Sequence, residues 1–238
     1  MTMHPIDIPE EQLTENLMTS KEQTRFITKV YLCLDIQLIT TFGLCLYSKL
    51  NNLLSFYRSD VGRGLFGLSI CGVIMTFGTL LCCRSIFQRK FSKYILLIIF
   101  STSVSYMISN MLLYYDPKTI IIATGITLTD LLLMTIMSFF ININSYFNEF
   151  LFITTFSLIL VCIINIFIMS SFLQLFIAGI GSIVFSGFII YDTKLILSNK
   201  HHVYSKDDFV LASINLYLDV VNLFLYILQC LTLTNSAN

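Results

Sequence analysis

Long apolar runs fill most of the chain, and short polar or charged breaks separate them. The runs fall at 27–47, 64–83, 94–114, 119–141, 150–170, 172–196 and 209–232. Each is close to the twenty or so apolar residues that carry a helix across a bilayer. The breaks are the polar stretch Asn51–Asp60, the basic cluster Arg84–Lys93, Asp116-Pro117, the Asn-rich 142–149, Ser170-Ser171 and the charged 198–208. The break at Ser170-Ser171 is so short that it predicts a tight helical hairpin. The pattern predicts an all-α membrane protein, a seven-transmembrane-helix bundle. It comprises a short cytosolic tail at 1–24, a seven-helix domain at 25–233 and a C-terminal tail at 234–238. Residues 1–20 are polar and acidic, the reverse of the basic-then-apolar order of a signal peptide.

Composition supports the same placement. Hydrophobic residues make up 56% of the chain and charged residues 12%, with a mean hydropathy of +0.81. Soluble domains carry about a quarter charged residues. A net charge of zero and the absence of a basic tract give no case for nucleic-acid binding. The seven cysteines lie almost entirely within apolar runs and read as packing residues, not a disulfide framework.

Lysine and arginine placement gives the orientation. With the N-terminus cytosolic, Lys21, Arg25, Lys29, Arg84, Arg89, Lys90, Lys93, Lys194, Lys200 and Lys206 share the cytosolic side. Only Lys49, Arg58, Arg63 and Lys118 lie opposite. Seven full crossings would leave the C-terminus on the far side; a seventh segment that only dips in would return it to the cytosol.

Four acids interrupt the runs: Asp35, Asp130, Asp192 and Asp219. A carboxylate at the centre of a lipid-inserted helix costs about 2.5–3.5 kcal/mol on insertion scales, so each needs a polar partner or a hydrated cavity. The basic residues lie at segment ends, so nearby cations cannot neutralise all four. On the seventh segment Asn215, Asp219, Asn222 and Tyr226 share one helical face. Such a stripe belongs inside a bundle, lining a cavity or a hydrogen-bonded seam. Asp192 lies near the end of the sixth segment, which runs antiparallel to the seventh. The two acids differ in depth by roughly 9 Å if the helix ends are level, close enough for facing side chains to meet. Two carboxylates in one buried site do not both ionise easily, which makes such a pair proton-sensitive. The structural alternative is a polar contact that only bonds two helices. Asp35 and Asp130 read as helix-packing or protonated acids, and Gly179, Gly181, Ser182 and Ser186 as small residues allowing close approach. His201-His202 reads as a solvated loop, a poor metal site without further ligands.

GFIIYDT (187–193), followed after a charged loop by LASINLYLDVVNLFLYILQ (211–229), resembles the signature of the Bax-inhibitor-motif transmembrane family, particularly its Golgi anti-apoptotic protein branch. RFITKVYLCLDIQLITT (25–41) is similar to that family's first-helix pattern. The resemblance implies a seven-helix fold with the last helix central, and a paired-aspartate sensor gating a calcium leak, here Asp192 and Asp219. It also implies Golgi or endoplasmic-reticulum membranes and protection against apoptosis through lowered luminal calcium. A basic residue near the cytosolic end of helix two contacts the sensor in some relatives, and Arg84 is the candidate latch. The chain departs from the family in SVSYMISNMLLYY (103–115), which lacks the usual glutamate, and in the unmatched Asp35 and Asp130. The divergence outside the last two helices, with Ile/Asn/Lys-rich usage, suits a virally encoded copy.

Chemistry and resemblance together predict a pH-sensitive calcium leak channel. Carboxylates, Asn side chains and carbonyls supply the oxygen ligands calcium prefers, with calcium at Asp192 and Asp219 as permeant ion and no resident cofactor. The expected partners are the lipid bilayer, calcium ions, and a second copy or a calcium-release channel. The alternative is a non-conducting anti-apoptotic regulator that binds membrane partners. An enzyme is not expected, since no nucleophile–base pair is visible.

Overall fold

The computed structural model describes residues 19–82, 91–141, 145–198, 204–205 and 207–237. Among these the chain is helical and without strands. The helices are α1 (Ser20–Leu50), α2 (Leu54–Arg58), α3 (Asp60–Cys82), α4 (Ser92–Leu112), α5 (Pro117–Phe140), α6 (Ser145–Ile168), α7 (Ser171–Leu197) and α8 (Phe209–Ala237). All but the five-residue α2 are long and apolar enough to cross a membrane, and the chain is a multi-pass membrane protein. At about 1.5 Å per residue the 29 residues of α8 reach about 43 Å, more than the roughly 30 Å hydrocarbon core.

Several boundaries follow from local chemistry. Thr19 caps α1 through a reciprocal capping box with Glu22. Asp116 caps α5 by accepting from the Lys118 amide at 3.1 Å, with Pro117 at the first helical position, where its missing N–H costs nothing. The expected hairpin between α6 and α7 turns on Met169, whose φ of 52° is left-handed, and Ser170 then caps α7. Two breaks are more structured than expected. The Asn51–Asp60 stretch contains α2, which buries Tyr57, and the Asn-rich stretch is helical from Ser145 onward. At the C-terminus α8 runs through Ala237, so 234–237 extend the helix.

The last helix is central. It packs against α7, α1, α5 and α4, and 56% of its span is buried, against 11% for α6. Leu216, Leu223 and Val220 on one side and Asp219 on the other are all buried. A helix covered all round by protein can carry a polar stripe without facing lipid. α4 is buried to the same extent between α1 and α3. Exposed Ile, Leu and Phe side chains on α5 and α6, such as Leu132, Phe152 and Ile166, form the outer surface.

Candidate functional site

Asp192 and Asp219 meet. Asp192 lies five residues from the end of α7 and Asp219 ten into α8. Level helix ends would leave an axial offset, yet the two carboxyl groups lie close enough to interact. For the two to meet, α8 must begin beyond the level at which α7 ends. Asp208 and Phe209 are already buried, at 2% exposure each, and Asp208 Oδ2 accepts from the Ser205 amide at 3.0 Å. Both members of the pair are about nine-tenths buried. A hydrogen bond between two carboxyl groups needs a proton, and Asp219 Oδ2 receives no N–H or O–H from another described residue.

The rest of the α8 stripe faces the same seam but does varied work. Asn215 Nδ2 donates to the Tyr204 hydroxyl at 3.2 Å. Asn222 Nδ2 donates to its own helix at Leu218 O, 2.8 Å. Tyr226 stacks on Phe185 at 5.6 Å and fills the notch left by Gly181, where a Cβ would come within 2.7 Å of the ring. The stripe is thus a packed seam between α7 and α8, polar at Asn215 and Asp219 and aromatic at Tyr226.

The other acids differ from this pair and from each other. Asp130 Oδ2 on α5 accepts from Ser186 Oγ on α7 at 2.8 Å, which joins two helices. Asp35 is exposed and lies apart from the seam, on the wall of a cavity beside α1. Lys194 turns away from its neighbour Asp192 and donates to Ser138 O at 3.0 Å. Arg84 and His201-His202 lie outside the described residues. At the same end of the bundle, Lys93 of α4 pairs with Asp207 at 3.2 Å and sits 4.5 Å from the centre of the Phe209 ring. Lys29 of α1 approaches that ring too, at 5.1 Å. The entry to α8 is therefore held by two cations and an ion pair.

Tyr204 was not visible as a site residue. Burial first, and then the nearby Asp192 carboxylate, push its phenol above the usual tyrosine range, so it stays protonated at neutral pH. It packs its ring 6.1 Å from Phe26 and lids the pair from the loop side. A second polar seam was also missed. Thr41 Oγ1 lies 2.8 Å from Ser105 Oγ and 2.7 Å from the Tyr217 hydroxyl, joining α1, α4 and α8. Further along α4, Ser109 Oγ is 2.7 Å from Ser48 Oγ and 3.0 Å from the Tyr57 hydroxyl. Serines 101, 105 and 109 recur every fourth residue of α4, all buried, and that period was the available signal.

The pair alone offers too few donors for a resident calcium ion. Two carboxylates offer at most four oxygens, whereas calcium takes about six to eight. No cluster of three or more His, Cys, Asp or Glu occurs among the described residues. What the arrangement brings together is two buried carboxyl groups from two helices.

The family model described as "Inhibitor of apoptosis-promoting Bax1" matches residues 23–236. Protein lifeguard 3 of Mus musculus is 28% identical over 215 residues, covering 88% of this chain and 69% of the relative. Its Homo sapiens counterpart is 27% identical, covering 88% and 68%. The Golgi anti-apoptotic protein of Vaccinia virus (strain Lister) is 34% identical over 140 residues, covering 58% of this chain and 56% of the relative.

Proposed function

The chain belongs to the family of inhibitors of apoptosis-promoting Bax1, and from that premise we propose that it is a pH-responsive calcium leak channel gated by Asp192 and Asp219. It lowers store calcium and thereby opposes apoptosis. The observation that carries this reading is the contact of two buried carboxyl groups across the α7–α8 seam. The contact holds while a proton is shared. When the proton leaves, two negative charges face each other at low dielectric, and repulsion favours parting α7 from α8. The parted seam would present two carboxylates and Asn215 to a cation. No mid-span lysine or arginine opposes cation entry along the described helices. Closure by a proton makes the leak smaller in acid and larger as pH rises.

The lysine and arginine bias supports a cytosolic N-terminus. A relative with Golgi in its name supports residence in Golgi membranes, with the endoplasmic reticulum as the neighbouring store. The test is flux from calcium-loaded liposomes containing the purified chain, followed across about pH 6 to 8. Wild type should show a pH-dependent leak, and Asp219→Asn, which keeps the hydrogen bond without the charge, should flatten it. An unchanged pH profile in that variant sinks the gate. Protection of cells by a variant with no flux would favour the non-conducting regulator instead.

A further inference from the structure

The charge left over by the proposed gate is Asp35, and its surroundings point to a ligand. Asp35 lies on the wall of a cavity of about 650 Å³, within the range of about 300–1,000 Å³ for small-molecule sites. α8 and α4 form its floor through Val220, Val221, Phe224, Ile108 and Leu112, and α1 and α5 form its walls. These walls are not among the extensively packed helix pairs. Their exposed rim residues Ile39, Phe42 and Ile121 leave the cavity open sideways towards the bilayer. The lining runs along α1 from Asp35 to Lys49, fourteen residues or about 21 Å of helix.

The two ends carry opposite charges in different states. Lys49 Nζ already donates to the carbonyls of Leu112, Leu113 and Tyr115, at 3.4, 3.3 and 2.7 Å, so the end of α4 meets its charge. Asp35 is exposed and has no hydrogen bond or ion pair with a described residue. On the apolar run that begins at residue 27, Asp35 lies eight residues or about 12 Å inside, where an unpaired carboxylate is costly. A cation held against Asp35 would offset that cost, and the apolar lining beyond it is the place for a tail.

We infer that the α1–α5 cavity is a binding site for a single-tailed cationic amphiphile, with its ammonium against Asp35 and its alkyl tail along α8 towards Lys49. A fatty acid would have to take the donors Lys49 has spent, and a neutral chain would leave Asp35 uncompensated.

The inference is independent of the calcium reading and is tested without flux. The full chain in phosphatidylcholine nanodiscs is photolabelled with three probes of equal chain length, bearing an amine, a carboxylic acid or an alcohol. The amine should label α1 and α5 peptides at least tenfold more strongly than the other two. Asp35→Asn should remove that preference, and Thr124→Phe, which fills the cavity wall, should abolish labelling there by the amine. Melting temperature in the same discs checks that both variants fold. Equal labelling by the three probes, or an amine preference that survives Asp35→Asn in a folded protein, overturns the assignment. Competition by phosphatidylethanolamine at a few per cent of the disc lipid would overturn the single-tailed occupant in favour of an amine-headed phospholipid.

Discussion

Asp192 of α7 and Asp219 of α8 contact each other through their carboxyl groups, in a seam with no cation between them among the described residues. If they act as one proton-sharing unit, either partner's loss should do what loss of both does. Asp192→Asn, Asp219→Asn and the double variant should therefore flatten the pH profile of calcium leak to the same extent. Additive effects in that cycle would mean two separate titrating sites.

The lid above the pair has a different expected signature. Tyr204 is held protonated by burial and by the nearby carboxylates. A folded-state phenol raised above its unfolded value contributes stability that is full below the ordinary tyrosine value and is lost as pH rises from there through the raised value, in alkali. Tyr204→Phe should cost about 0.5–1.5 kcal/mol through the lost Asn215 hydrogen bond. The leak's pH profile between about 6 and 8 should keep its midpoint. A moved midpoint would make Tyr204 part of the titrating unit.

These residues also show what could be read along the chain. The seven spans were legible because a bilayer demands about twenty apolar residues in a row, a signal that local context does not override. Asp219 was legible because Asn215, Asp219, Asn222 and Tyr226 share a face. Its partner followed from helix order and the resemblance at GFIIYDT. Tyr204 and the Lys93–Asp207 pair were not legible, since both depend on how the loop before α8 folds back, which no periodicity encodes. The serine ladder of α4 was hidden for another reason. Hydroxyls in membrane helices satisfy themselves on their own backbone, as exposed Thr102 does at Ile98 O and buried Ser105 at Ser101 O. A serine that also bridges helices therefore looks, in sequence, like one that faces lipid. Helix α2 escaped because five residues are too few to display a period.

The cationic clasp at the start of α8 should be asymmetric. Lys93 is 4% exposed and packs on Phe209, whereas the Asp207 side chain is 66% exposed. Asp207→Asn removes a partner that water can replace and should cost under about 1 kcal/mol. Lys93→Ala also strips buried contact and a cation–π interaction, and should cost about 2–3 kcal/mol. Thermal unfolding of both variants in detergent checks the ratio, and equal losses would refute the asymmetry.

Close approach of α7 and α8 depends on one missing methyl group. A Cβ on Gly181 would come within 2.7 Å of the Tyr226 ring, which is pinned in turn against Phe185. Gly181→Ala should therefore destabilise by about 1–3 kcal/mol through overpacking, despite alanine's better helix propensity. Tyr226→Leu should relieve much of that loss in the double variant, because the clash is with the ring itself. The same substitution pair bears on gating. If leak requires α7 and α8 to part near Asp192 and Asp219, wedging them apart at Gly181 should raise basal leak. That rise should disappear when Tyr226 is shortened. A Gly181→Ala protein that is destabilised but leaks no faster would separate packing of the seam from its opening.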